Sequence, residues 1–383
     1  MPKTTTSLET PLRNQLDRLA AFEPIDLPVI SLYLDMRRDQ EGREHHDSFL
    51  RKVFGDRAKT FRGAARQSFE QDVERIKNYL AEDVRRSTNG LAIFACGGAK
   101  LFETIQLDVP TDAHWLFIGS VPHLYPLARL NDKYPRYAAL VVDTNSARLF
   151  VFSLGATEAE RQVQNVKTRK TSMGGWSQAR YQRHTENFHL HHMKDVVEML
   201  DRVVREENIN HIVVSCEEAT RARLFEALPK HLAEKVVDIV KMEARAPEHQ
   251  VLKETLDALR GKDLETDAQH ADELIGAWRA GGLGVVGPED TMNALVMGQV
   301  EELLITATPG ALRRARSLPP GNAPGPVDVQ SSAPSADLDP DLLKLADELV
   351  TKAQQTSARI RFIEDPQLLK DVGGVGALLR FKI

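Results

Sequence analysis

AALVVDTNSARLFVFSLG, residues 138–155, is two apolar runs folded about a polar tetrad. Asp143, Thr144, Asn145 and Ser146 are residues whose side chains hydrogen-bond their own backbone in turns, so the stretch predicts a β-hairpin. A long helical pattern from about Tyr181 to Glu207 follows, then the apolar strand HIVVS (211–215), a helix around Leu224–Leu228, and the strand VVDIV (236–240). A hairpin continued by alternating helices and short apolar strands is the pattern of an α/β layer with a mixed sheet.

Working outward, the turn-prone NDKYPRY (131–137) separates this unit from an earlier one. There, LPVISLYLDM (27–36) and NGLAIFACGG (89–98) read as strands. Residues 47–84 between them carry helical spacing, as in Phe69, Val73, Ile76 and Leu80, and LFETIQLDV (101–109) adds a further β-rich piece. Beyond the middle unit, helices are expected near 247–260 and 270–280. The glycine cluster GGLGVVG (281–287) breaks the pattern, and NALVMGQVEELLIT (293–306) reads as helix then strand. A helix at 341–354, the strand ARIRFIE and the tail GGVGALLRFKI close the chain. Residues 309–340 hold seven of the nineteen prolines, so this piece is expected to be a disordered insertion. The expectation is three α/β domains: 1–134, 135–245, and 246–383 with the insertion at 309–340.

Composition removes several classes. With 42% hydrophobic and 27% charged residues in 383, the chain can bury real cores and is not disordered throughout. Two cysteines, Cys96 and Cys216, cannot build a disulfide framework or a cysteine-based zinc site. Both sit in apolar runs, which predicts buried thiols in a reduced, cytoplasmic protein. No apolar run approaches a bilayer-spanning length, and the first residues lack the apolar core of a secretory signal, so no membrane partner is expected.

Charge is unevenly spread. The formal net charge is -5, yet Arg161 to Lys194 holds seven basic residues against one acid, Glu186. His184, His189, His191 and His192 lie in the same segment. A cationic segment on an acidic body suits insertion into a phosphate-rich environment; the plain alternative is a solvated basic helix face. Within it, TRKTSMGGWSQARYQRH (168–184) joins strand pattern to helix pattern. Gly174 and Gly175 permit close approach of the backbone to another molecule, although Gly-Gly also occurs in ordinary surface turns.

GGWSQARYQRH (174–184) resembles the GGQ loop and following helix of archaeo-eukaryotic class-1 peptide-chain release factors, whose motif reads approximately GGQSAxRFxRxR. Gly174, Gly175, Ser177, Arg180, Tyr181 and Arg183 fall on matching or similar positions. NALVMGQVEELLI and LLKDVGGVGALLRFKI resemble that family's third-domain helix and strand and its ending, and VISLYLD and NGLAIFACGG are similar to its N-terminal strands. The chain is thereby identified as a bacterial member of the release factor and Pelota family, with Balon-like relatives. The resemblance implies a tRNA-shaped molecule, a middle domain of RNase-H-like fold, and a C-terminal domain similar to the kink-turn-binding ribosomal-protein type. It also implies the ribosome (rRNA and P-site tRNA) as partner and a translational GTPase beside it. Two departures stand out. Trp176 takes the place of the family's catalytic glutamine, with Gln178 two residues later. Residues 41–60, EGREHHDSFLRKVFGDRAKT, carry no stop-codon motif.

Hydrolysing a peptidyl-tRNA ester needs one positioned water and an oxyanion donor rather than a strong base. Gly174, Gly175 and Gln178 are the candidate catalytic residues of a ribosome-dependent peptidyl-tRNA hydrolase, with no cofactor. Lys167, Arg169, Lys170, Trp176, Ser177, Arg180, Tyr181, Arg183 and His184 are the candidate RNA-binding residues. An indole at 176 that stacks on an exposed base suits a non-hydrolytic hibernation plug instead. A nuclease of RNase-H type would use Asp143 with Glu217 and Glu218 at strand ends, although the Asp143 turn signature points to capping. His189, His191 and His192 do not share one helix face, which speaks against a closed zinc site, and no metal is expected. GGLGVVG and GGVG (373–376) lack the context of a phosphate-binding loop and read as turns.

Overall fold

In the computed structural model, residues 12–38, 46–154, 156–164, 177–312, 328–331 and 339–382 are described; for 13, 164, 177–188 and 328–331 this extends to the backbone only. Three regions each carry a sheet. They are grouped in two compact units, one of residues 1–133 with 267–383, the other of residues 134–266.

The N-terminal region runs α1 (Leu12–Ala20), β1 (Val29–Asp35), α2 (His46–Ala58), α3 (Gly63–Glu82), β2 (Gly90–Cys96), β3 (Leu101–Leu107), β4 (Trp115–Gly119) and α4 (Tyr125–Lys133). β1 lies between β2 and β4, antiparallel to both, with Leu32 opposite Ile93 and Leu116. Period-two alternation sends its side chains to two different layers. Ile30, Leu32 and Leu34 pack with Phe54 of α2 and Phe69, Val73 and Ile76 of α3. On the alternate positions, Ser31 Oγ accepts from the His123 N–H at 2.9 Å and the Tyr33 hydroxyl donates to the His123 carbonyl at 2.6 Å. A strand buried on both faces explains the unbroken apolar run.

The middle region contains β5 (Tyr137–Val142), β6 (Ser146–Ser153), β7 (Ala156–Gln164), α5 (Ser177–Glu206), β8 (Ile212–Cys216), α6 (Glu218–Ala227), α7 (Lys230–Ala233) and β9 (Val236–Val240). The sheet order is β7-β6-β5-β8-β9, with β5–β6–β7 an antiparallel meander and β8 and β9 parallel additions. An antiparallel meander continued by parallel strands, order 3-2-1-4-5, is the RNase-H-like arrangement that the resemblance implied. Ala138, Leu140 and Val142 pack against Val196, Leu200 and Val203 of α5. Tyr137, Ala139 and Val141 face the opposite layer with Val251 and Leu259 of α8 (Glu248–Arg279).

The C-terminal region comprises the end of α8, β10 (Gly284–Val286), α9 (Pro288–Val296), β11 (Val300–Thr306), β12 (Asp328–Ser331), α10 (Pro340–Gln355), β13 (Arg359–Ile363) and β14 (Val375–Leu379). Its sheet order is β10-β14-β11-β13, with β11 and β13 parallel. Leu303 and Ile305 lie in a core with Leu295 of α9 and Ala346 and Leu349 of α10, and Leu304 lies in another with Ala271 and Leu274 of α8. Gly373 and Gly374, at φ +84° and +83°, make the left-handed turn into β14, where a Cβ on Gly374 would stand 2.9 Å from the Ala311 carbonyl.

Four expectations are corrected. The helices foreseen near 247–260 and 270–280 are one helix of 32 residues. GGLGVVG is not all turn, because Gly284–Val286 forms the edge strand β10. α1, β4, α4 and β7 had no counterpart in the sequence reading. Within 309–340, residues Pro309–Ala311 form a short 3-10 helix and β12 pairs antiparallel with β4. Residues 313–327 and 332–338 of that segment lie outside the described residues.

α4 joins the N- and C-terminal regions into one unit. Asp347 of α10 accepts through Oδ1 from the N–H groups of Leu124 and Tyr125 at 2.6 and 2.9 Å, so a carboxylate from the far half of the chain caps this helix. Its Oδ2 lies 3.2 Å from His123 Nδ1. The Tyr125 hydroxyl donates to the Thr306 carbonyl at 2.9 Å, and the Phe362 N–H donates to Asp132 at 3.0 Å.

Candidate functional site

The site named by the sequence sits on the connection from β7 to α5. β7 is the outer strand of its sheet and ends at Gln164; α5 begins at Ser177. Lys167, Arg169, Lys170, Gly174, Gly175 and Trp176 lie outside the described residues. Ser177, Gln178, Arg180, Tyr181, Arg183 and His184 fall on the first turns of α5, with their side chains outside the described set.

What the structure does describe is how α5 is anchored. Met193, Val196, Leu200, Val203 and Val204 are buried on one face at helical spacing, and they hold the C-terminal part of the helix on the sheet. Leu190 and Lys194 are exposed. At 1.5 Å per residue, Ser177 stands about 22 Å along the helix axis from His192. A helix N-terminus carries partial positive charge and unpaired N–H groups, a polarity that suits an anionic partner beside the basic segment.

The histidines divide by environment. His189 donates from Nδ1 to the Thr144 carbonyl at 3.0 Å, tying α5 to the β5–β6 turn. His191 is exposed and His192 is fully buried. Burial holds the His192 pKa below its usual range. Hydrogen bonds to the Ser146 and Asp143 backbone and the carboxylates of Asp143 and Asp195 act in the opposite direction. His192 is therefore an uncharged core side chain near neutral pH, which removes it from the cationic segment in which the sequence placed it.

Asp143 is engaged in the turn. Its Oδ1 accepts from the N–H groups of Asn145 and Ser146 at 2.6 and 2.7 Å, and its Oδ2 accepts from the Ser146 hydroxyl at 3.0 Å. Partial burial raises its pKa, but these three hydrogen bonds and His192 outweigh that and leave it lowered. The pairing of Val142 with Cys216 sets the next residues, Asp143 and Glu217, at the ends of adjacent parallel strands. Glu217 and Glu218 are exposed, and Glu217 starts α6 through its carbonyl. Among the described residues no group of three or more His, Cys, Asp or Glu side chains is gathered to hold a metal ion. The Asp143 carboxylate thus serves the turn, whereas Glu217 starts α6 through its backbone and makes no side-chain cap bond. Cys96 and Cys216 are both buried, and burial raises both thiol pKa values. Among the described residues no helix is long and apolar enough to cross a membrane.

The sequence reading passed over one cluster. His123, Asp347 and Tyr33 meet in the larger unit although Asp347 lies 223 residues from the Leu124 amide it binds. No local pattern signals a contact of that separation.

Comparisons with known proteins find relatives along nearly the whole chain. A family model described as bacterial archaeo-eukaryotic release factor family 10 matches residues 122–260, and one described as eRF1 domain 3 matches residues 268–383. Peptide chain release factor subunit 1 of Pyrococcus abyssi is 22% identical, over 97% of this chain and 98% of its own. An uncharacterized protein of Mycobacterium tuberculosis is 25% identical, over 95% and 96%. Among solved structures, the archaeal translation termination factor aRF1 matches at 16% identity with a TM-score of 0.26, covering 97% of both chains. Archaeal Pelota, in a ribosome-bound model with ABCE1, matches at 13% identity with a TM-score of 0.42, covering 97% and 94%. With residues 122–260 matching a bacterial release-factor model and residues 268–383 a release-factor third domain, on a fold of three α/β sheet regions, the chain is a bacterial archaeo-eukaryotic release factor/Pelota-like protein.

Proposed function

We propose that this chain is a ribosome-associated translation factor that enters the A site and carries residues 168–184 to the peptidyl-transferase centre. There it acts in peptide release or in rescue of stalled complexes by hydrolysing the peptidyl-tRNA ester. The observation that carries this is the basic Gly-Gly segment lying inside the span matched by the bacterial release-factor model. In this role the backbone at Gly174 and Gly175 comes close to the ester and donates N–H groups to the developing oxyanion, while the Gln178 amide orients the attacking water. Lys167, Arg169, Lys170, Arg180, Arg183 and His184 pair with rRNA phosphates. Trp176 and Tyr181 stack on bases, with Ser177 as a polar contact. The P-site tRNA supplies the ester, and a translational GTPase delivers the factor.

Trp176 favours a second outcome at the same place. A large indole where relatives of the resembled motif carry glutamine fills the cavity and stacks, which suits occupancy without cleavage, as in hibernation. Incubating the protein with ribosomes that hold labelled peptidyl-tRNA, and scoring both bound factor and freed peptide, separates these. Freed peptide that disappears with Gln178→Ala supports hydrolysis; binding with no freed peptide supports plugging. No ribosome association at physiological salt refutes the proposal.

A further inference from the structure

The larger unit has a half-open cavity of about 380 Å³ between its N- and C-terminal regions, within the size range of small-molecule sites. Aromatic rings dominate the lining: Tyr33 of β1, Trp115 and Phe117 of β4, and His123 and Tyr125 at the start of α4. Trp115 and Phe117 lie parallel, 10° apart with centroids at 5.7 Å, and His123 continues the stack at 3.7 Å and 24° from Phe117. Trp115 is the half-buried member of the three. Thr308, from the segment after β11, and Leu343 of α10 close the cavity from the C-terminal side.

His123 supplies the polar handle. It is 2% exposed, its Nδ1 lies 3.2 Å from the Asp347 carboxylate, and neither buried ring nitrogen has a hydrogen-bond partner among the described residues. An imidazole whose Nδ1–H faces a carboxylate presents Nε2 as an acceptor. A buried polar atom left without a partner calls for something to bind it. The lining carries Arg129 and Lys133 against Asp112, and Arg129 is flanked by Asp112 at 3.2 Å and Glu364 at 3.6 Å.

We propose that this cavity binds a purine base. A flat, two-ring heterocycle continues the Trp115–Phe117–His123 stack, and an exocyclic or ring N–H on its edge donates to His123 Nε2. An aliphatic acid lacks the face, a sugar lacks both face and apolar character, and a single-ring pyrimidine covers less of the aromatic wall. The base arrives on a free nucleoside or in a single-stranded RNA. The inference stands independently of the ribosomal proposal, because none of its residues lies between 165 and 188.

Trp115 is a built-in reporter. The chain has three tryptophans, so the full-length double variant Trp176→Phe, Trp278→Phe leaves Trp115 as the sole indole. Adenosine, guanosine, cytidine, uridine and a short adenosine-rich RNA oligomer are titrated against its fluorescence. The expected result is saturable quenching by a purine nucleoside, at least tenfold tighter than by either pyrimidine, and weakened at least tenfold by His123→Leu. Ala113→Leu, at a half-buried lining position, fills the cavity without touching the His123–Asp347 pair and should abolish quenching with an unchanged melting temperature. Quenching by the oligomer alone, lost in Ala113→Leu, keeps the base and assigns RNA as its source. No saturable quenching by any probe, equal affinity for purines and pyrimidines, or undiminished quenching in Ala113→Leu overturns the proposal.

Discussion

Replacing Asp347 with alanine removes, in a single step, the acceptor for two backbone N–H groups and the carboxylate 3.2 Å from His123 Nδ1, at a position 5% exposed. α4 is short, and its first amides have no other acceptor within their own helix, so they become buried unsatisfied donors. Each such group costs about 1–3 kcal/mol, and loss of a helix cap alone costs about 0.5–2 kcal/mol. The three losses overlap, because relaxation of α4 serves all of them, and a combined cost of about 3–5 kcal/mol is the working figure. For a unit of this size each kcal/mol lowers the melting temperature by roughly 2–4 °C, so Asp347→Ala should shift it by roughly 6–20 °C. Asp347→Asn keeps an acceptor for the amides but loses the charge opposite His123, and about half that shift is expected. Differential scanning calorimetry of the full chain is the assay, with the transition of residues 134–266 as the internal control. A shift below roughly 2 °C for Asp347→Ala would refute the claim that this carboxylate holds the N- and C-terminal regions together.

Changing Arg180 and Arg183 together to alanine should weaken ribosome binding and reduce the slope of log affinity against log salt by about two. An unchanged slope in pelleting assays removes these two residues from the phosphate contacts. Asp143 predicts a defined acid response. Its folded pKa is below the ordinary 3.8, so its contribution to stability is present above that value and is lost as pH falls through the lowered one. The melting-temperature gap between the wild-type protein and Asp143→Asn should therefore be constant near neutrality and shrink only below about pH 4. A gap that persists unchanged to about pH 2.5 contradicts the hydrogen-bonded turn.

Strands were legible where burial on both faces left unbroken apolar runs, as in VISLYLD and GLAIFAC, because nothing else concentrates β-branched and aromatic residues so densely. The β5–β6 hairpin was legible because Asp143 announces its turn chemically. β4 and α4 were missed for a different reason: each is short, and each is completed from far along the chain, by β12 and by Asp347. α8 read as two helices because Gly261 and the polar run after it interrupt the apolar spacing, while no proline is present to end the helix. At the candidate site, residue identities and spacing marked the loop and its cationic flanks. The protonation of His192 was not legible, since burial against the β5–β6 turn is a property of the folded chain. The aromatic cavity had no sequence signature, because its lining comes from segments some 30 to 340 residues into the chain.

The pairing of β12 with β4 has a practical corollary for dissecting this protein. A fragment ending at residue 133 would carry β4 as a bare margin, its amides and carbonyls open to any extended peptide, and α4 stripped of its cap. Such a piece invites self-association and sticking to unrelated chains, and activities measured on it would describe an exposed seam. Excisions that respect the molecule keep both ends of the chain together, and the far boundary of the unit of residues 134–266 falls inside the continuous helix α8.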